Sequence, residues 1–254
     1  MKTVKLILLG LLTFVLTALW LTPAAFVAPY IERAAPNVRI NNASGTLWNG
    51  LATSVRVNNF DLGSVDWKIH PMSSLLSLSL VADVDIKGGE LNATGNAAYG
   101  YDKSIRLSEL TFAADASIIR RFQSQVQLTG DIEGIIDNAQ IVPGGFPVIN
   151  GVVNLVQGSV IFPRVEPGNY RADIKSESNS LIAEISSADS PLSLDGKVSI
   201  NSNWQYQSDV LAKAGPSLNP MIMNLLRPVA GNNPGPDGSL RINRNGKIAP
   251  IQLY

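Results

Sequence analysis

The chain has no cysteine and a single histidine, His70, in 254 residues. Without cysteine there is no disulfide framework and no thiolate metal site, and one imidazole cannot build a multi-histidine centre. Charge is also sparse: 16% of residues are charged, and 20 basic against 20 acidic side chains cancel to zero. That balance excludes the basic footprint expected of a nucleic-acid binder. The 45% hydrophobic content, by contrast, suffices for a sizeable core without covalent staples.

One long apolar run dominates the sequence, from Leu6 to Ala28, with no charged residue between Lys5 and Glu32. At ~1.5 Å per residue, 23 residues in one helix reach roughly 34 Å, against a hydrocarbon core of ~30 Å. A cleaved signal peptide and a retained anchor both start this way. Cleavage after Ala25 places Pro23 at the minus-three position, and cleavage after Ala28 places Phe26 there. Neither gives a small-x-small site, and the run exceeds a usual signal-peptide core, so a retained anchor is expected. Lys2 and Lys5 precede the run, while Glu32 and Arg33 partly cancel after it. Positive-inside bias then predicts residues 1–5 as a cytoplasmic tail, 6–28 as a transmembrane anchor, 29–37 as a linker and 38–254 as an exported, periplasmic domain.

Beyond Val38 the pattern becomes alternation. Leu76, Leu78, Leu80, Ala82, Val84 and Ile86 share one parity and Ser77, Ser79, Val81, Asp83, Asp85 and Lys87 the other, which predicts a strand with one buried and one largely wet face. Similar runs occur at Val126, Leu128 and Ile132, at Tyr170, Ala172 and Ile174, at Leu181, Ala183 and Ile185, and at Leu192, Leu194, Val198 and Ile200. Turn signals fall at Lys87-Gly88-Gly89-Glu90, Val142-Pro143-Gly144-Gly145, Asp195-Gly196 and Asn245-Gly246, the last predicting a hairpin.

Helical signal after the anchor is scarce. Asn219 to Ala230 has a cap, Pro220 at the first helical position and an apolar stripe of Met221, Ile222, Leu225 and Leu226, with Pro228 expected to end or bend it. A weaker pattern covers Ser117 to Gln123. The expected fold is mainly β: a single N-terminal transmembrane helix, then a curved antiparallel β-sheet domain, closed as a sandwich or barrel or left as an open trough, with one or two short helices. An unfilled apolar face would form a groove for lipid or an extended partner, although the cost of exposed apolar surface favours a filled core.

No motif carries catalysis. His70 has no nucleophile or orienting group placed beside it by pattern, so a structural or solvent-facing role is expected. Asp83 and Asp85 fall on the wet face of a strand. Pro143-Gly144-Gly145 lacks the lysine and following helix of a phosphate loop. Arg120-Arg121 reads as a solvated face, and Trp48, between Gly45 and Gly50, as a core corner. Catalytic, cofactor-binding and metal residues are accordingly expected to be none.

Several short patterns recur in one family. They are Gly45-Thr46-Leu47-Trp48-Asn49-Gly50, Trp67-Lys68-Ile69-His70-Pro71 with Leu75-Leu76, and Pro167-Gly168-Asn169-Tyr170. Leu192 to Val198, Asp237 to Ile242 and Gly246-Lys247-Ile248 complete the set. In order and spacing, after an apolar N-terminus, they resemble the type II secretion system protein N family of Gram-negative inner membranes; Ser77 stands where that pattern has glycine. The resemblance implies a non-enzymatic accessory component without cofactors that contributes to export of folded proteins across the outer membrane. Implied partners are other secretion components, the inner-membrane platform and the outer-membrane secretin assembly, with the membrane engaged through the N-terminal helix. The first motif also looks like the opening of AsmA-related envelope proteins, whose β troughs handle lipid; that is the alternative reading.

Overall fold

The computed structural model describes residues 2–121, 127–160, 165–216, 218–230, 235 and 237–249. Thirteen strands, β1 to β13, follow one another in the sheet in chain order. This is the expected mainly-β, antiparallel arrangement. Among the described residues β1 pairs only with β2 and β13 only with β12, so the order is that of an open sheet. The chain divides into two units, residues 1–98 and 99–254.

The first unit begins with two helices, α1 (Lys2–Trp20) and α2 (Ala24–Ala34). The apolar run is therefore interrupted: α1 ends at Trp20, and Pro23 makes an isolated bridge to Thr46 before α2 starts. Proline at the N-cap of α2 is extended, with ψ of 141°, which breaks helical continuity. Among the described residues no helix is long and apolar enough to cross a membrane. Residues 29–34 of the segment read from sequence as linker lie in α2.

Then come β1 (Val38–Gly45), β2 (Asn49–Val57), β3 (Phe60–Ile69), the short helix α3 (Pro71–Ser77), β4 (Ser79–Gly88) and β5 (Leu91–Gly100). The predicted strand from Leu76 starts only at Ser79. Pro71 occupies the first turn of α3, as its fixed φ favours, and Leu78 closes the helix in the left-handed region at φ 49°. The expected buried and wet faces do not separate along β4, where Leu80 is exposed, Ser79 and Ala82 are buried and residues 83–86 are half-buried, while Gly88 turns the chain into β5 as expected.

The second unit contains β6 (Ile105–Asp115), β7 (Leu128–Ile141), β8 (Val148–Val160), β9 (Gly168–Glu177), β10 (Ser180–Ala188), β11 (Leu192–Asn201), β12 (Gln205–Ala214) and β13 (Leu240–Lys247). A 3₁₀ turn occupies Ala116–Arg121 in place of the weaker predicted helix, whose Phe122 and Gln123, like Val126, lie outside the described residues. Helix α4 (Pro220–Ala230) starts as predicted, with Asn219 Oδ1 accepting the Met221 N–H at 2.9 Å. Pro228 lies inside α4 rather than ending it. Ile222 and Leu226 pack with Val165, Leu218 and Leu192, while Met221 and Leu225 of the expected stripe are exposed.

Two turn predictions are corrected. Asp195-Gly196 lies within β11, because Gly196 is paired on one side with Ile185 and on the other with Val210. Asn245-Gly246 lies within β13, opposite Gln207 and Tyr206. Glycine suits Gly246 for close approach, since a Cβ there would stand 2.6 Å from the Tyr206 ring.

Candidate functional site: a motif turn and a helix-covered apolar cavity

The Gly45–Gly50 motif forms the turn between β1 and β2 and ties it to the N-terminal helices and to β3. Gly45 has a φ of 81°, open to glycine at little cost, and Thr46 N–H closes the turn on the Asn49 carbonyl at 2.9 Å. Trp48 stacks on Trp20, at the end of α1, with ring centroids 5.9 Å apart, and its indole N–H donates to the Leu19 carbonyl at 3.0 Å. Leu47 N–H donates to the Thr22 carbonyl at 2.9 Å. Trp67, opposite Gly50 in β3, donates its indole N–H to the Leu47 carbonyl at 3.0 Å. The expected core corner is thus a joint: it binds the α1–α2 junction to the first three strands.

Beyond this joint α2 lies over β1. Ala24, Val27, Ala28 and Ile31 recur at helical spacing and face the sheet, while Phe26 and Tyr30 point outward, paired at 5.7 Å. Glu32 accepts the Ile40 N–H at 2.7 Å and pins the far end of α2. The small Ala24 and Ala28 meet small residues below, Ala43, Ala52 and Ala82, and the facing surfaces do not fill the space between them. An apolar cavity of about 280 Å³ remains, walled also by Trp67 and, at an exposed rim, by Ile31 and Leu80. Ala52 and Val55, three apart, both face it because a register shift in β2 changes the alternation between them. A cavity lined this way offers no donor, acceptor or charge for catalysis. It suits a hydrocarbon chain.

The later motifs lie at alternate strands of the second unit, β9, β11 and β13. Arg241 on β13 makes a two-pronged pair with Asp209 on β12, at 2.6 and 2.5 Å, which holds the Asp209 carboxyl below its ordinary value. Asp237 accepts from the Ser239 hydroxyl at 2.6 Å and lies 3.2 Å from Lys213 Nζ; these partners bring its pKa down to about 2. Leu240, next in the motif, is fully buried. Burial pushes the Tyr170 hydroxyl up, in the Pro167–Tyr170 motif. These groups close turns and hold strand edges together.

Of the side chains weighed for chemistry, His70 Nε2 lies 2.9 Å from Asp83 Oδ1. Asp85 instead pairs with Lys87 and accepts the Thr94 hydroxyl at 2.9 Å, so the two aspartates are not one site. Among the described residues there is no group of three or more His, Asp or Glu that could hold a metal. The cavity was not legible in the sequence. Its only signal, spacing of Ala24, Val27, Ala28 and Ile31, is hidden inside a run that is apolar at nearly every position.

Fold and site together define an antiparallel meander protein whose N-terminal helices are fastened to its first strands over an apolar cavity. The model of the type II secretion system protein N family matches residues 36–243, across both units, and the chain belongs to that family. Neither the curated proteins nor the solved structures gave a match.

Proposed function

We propose that the protein is a non-catalytic, inner-membrane accessory component of the type II secretion machine, held by α1 with its β units on the periplasmic side. The observation that carries this reading is the family match over residues 36–243. Two features support it. The side chains of Leu6, Ile7, Leu8, Leu9, Leu12 and Phe14 stand free of the fold on α1, an arrangement costly in water and favourable in hydrocarbon. The stretch from Leu6 to Trp20, about 15 residues, reaches only ~22 Å, which a bilayer accommodates by thinning locally. Among the described residues β13 pairs with no strand but β12, so its other edge suits strand addition by the platform or secretin components.

Deletion of the gene, with affinity purification of the tagged chain from detergent-solubilised membranes, tests this. Reduced release of exoproteins and recovery of other secretion components are expected. Unchanged secretion together with an empty pull-down rejects it. Carbonate extraction and protease access to the β units check the membrane placement separately.

The cavity beneath α2 favours a second reading, in which the protein binds lipid. Native mass spectrometry of the full chain after detergent exchange distinguishes the two: retained phospholipid supports lipid binding, and a lipid-free chain with bound secretion components supports the scaffold.

A further inference from the structure

Helix α3 is built inside out. A short helix on a sheet ordinarily turns its apolar face inward. Here Ser74 faces β4, its hydroxyl accepting the Val81 N–H at 2.9 Å, and Ser79 is buried with its hydroxyl on the Ser77 carbonyl at 3.0 Å. Met72, Leu75, Leu76 and Leu78 face away and are between 68% and 82% exposed. Serines anchor the helix, and the large apolar side chains are left on its outer face.

Connectivity places this helix. In the meander β1 to β4 the β1–β2 turn and α3 lie at one end, and the turns at Asn58-Asn59 and Gly88-Gly89 at the other. The Trp48 carbonyl accepts the Ile69 N–H at 2.7 Å, so α3 begins two residues from the strand position joined to the Trp20–Trp48 stack. Residues 19–23, 45–49 and 70–80, which build this end, contain no Asp, Glu, Lys or Arg, and the charges that border it are Lys68, opposite Asn49, and Asp83, paired with His70. The other end carries Arg56, Asp61, Lys87 and Glu90.

We propose that this apolar end of the first unit rests on a phospholipid bilayer, with Met72, Leu75, Leu76 and Leu78 inserted among the acyl chains beside α1. Three observations select lipid over protein. The patch lies at the same end of the meander as the Trp20–Trp48 stack that fastens α1, and the side chains of α1 are themselves apolar and exposed. It is made of leucine, methionine and serine, without the tyrosine and arginine enriched in protein interfaces. The indole pair at its border, with Trp20 exposed, has the amphipathic chemistry of the headgroup level. The proposal deepens the membrane placement proposed above, adding a second contact that sets the orientation of the unit against the bilayer.

The absence of cysteine makes single-site labelling direct. Full-length protein carrying Leu76→Cys, Asn59→Cys or Leu11→Cys, each labelled with an environment-sensitive fluorophore, is reconstituted into phosphatidylethanolamine–phosphatidylglycerol vesicles. Nitroxides on the acyl chains are expected to quench the labels at positions 76 and 11 several-fold more than at 59. A label at 76 as weakly quenched as that at 59 overturns the proposal, even when the label at 11 is quenched and α1 is in lipid. A label at 76 shielded from aqueous iodide yet untouched by the nitroxides shows a protein or second-copy partner, and also overturns it. Quenching at 76 but not at 11 upholds α3 and rejects α1 as the anchor. As a second variant, Leu75→Glu with Leu76→Glu should leave thermal stability unchanged, because both side chains are exposed. It should reduce quenching of a label at Met72→Cys to the level seen at 59.

Discussion

Trp48 holds Trp20 in two ways at once, stacking on its ring at 5.9 Å and donating its indole N–H to the neighbouring Leu19 carbonyl at 3.0 Å. An aromatic pair contributes ~0.5–1.5 kcal/mol beyond its buried area and a neutral hydrogen bond about as much. Trp48→Ala should therefore loosen the α1–α2 junction by ~2 kcal/mol, while Trp48→Phe retains the stacking share. Hydrogen exchange at the Leu47 amide, which donates to Thr22, reads this out; equal protection in wild type and Trp48→Ala would show that the tryptophan is not the fastener.

Gly50 has no room for a side chain. A Cβ there would lie 2.4 Å from Trp67, whose indole is fixed by the Leu47 carbonyl. Gly50→Ala must displace a ring that also walls the cavity, an overpacking cost of ~1–3 kcal/mol. A lower urea midpoint and an altered tryptophan emission are expected; an unchanged midpoint counts against the close packing described.

The cavity itself can be filled from the sheet. Ala82 is buried and faces it, so Ala82→Leu places three further carbons in otherwise empty apolar space. Stability should rise by ~1 kcal/mol, as cavity-filling commonly achieves. If the cavity holds an acyl chain in the purified protein, the same variant should reduce the lipid mass seen by native mass spectrometry. Unchanged lipid would move that lipid elsewhere.

Acid should release the Asp237 turn. Its carboxyl has a folded pKa of about 2 against an ordinary 3.8, the Ser239 hydroxyl being the main cause and Lys213 the second. A depressed pKa contributes stability that is present above the unfolded value and is lost as pH falls through the folded one. Wild type should thus exceed Asp237→Asn in thermal midpoint at neutral pH, with the gap closing between about pH 4 and about pH 2. A gap independent of pH would assign the effect to packing instead of charge.

Fold class was legible because alternation is a local property. Tyr170, Ala172 and Ile174, or Leu181, Ala183 and Ile185, reveal a strand wherever one face is wetter than the other. Asn219 and Pro220 announced α4 for a similar reason, since capping acts over one turn. Reading failed where one residue type serves two physical purposes. Gly246 looked like a hairpin and instead accommodates Tyr206 across a continuous ladder. Leu76 and Leu78 matched a strand's parity, yet Pro71 and the inward serines made that segment a helix.

The apolar N-terminus shows the division most clearly. Sequence alone determined that residues 6–28 are hydrophobic enough to leave water, that the rest is antiparallel β, and that the ordered motifs belong to one family. Tertiary structure decided that Pro23 and the bridge to Thr46 divide the run, so that α2 covers strands while α1 stands clear. It also decided that Leu76 faces outward and Ser74 inward. Hydrophobicity is a property of each residue, but the surface against which it is buried depends on partners brought in by other elements, as Thr46 meets Pro23 and Val81 meets Ser74.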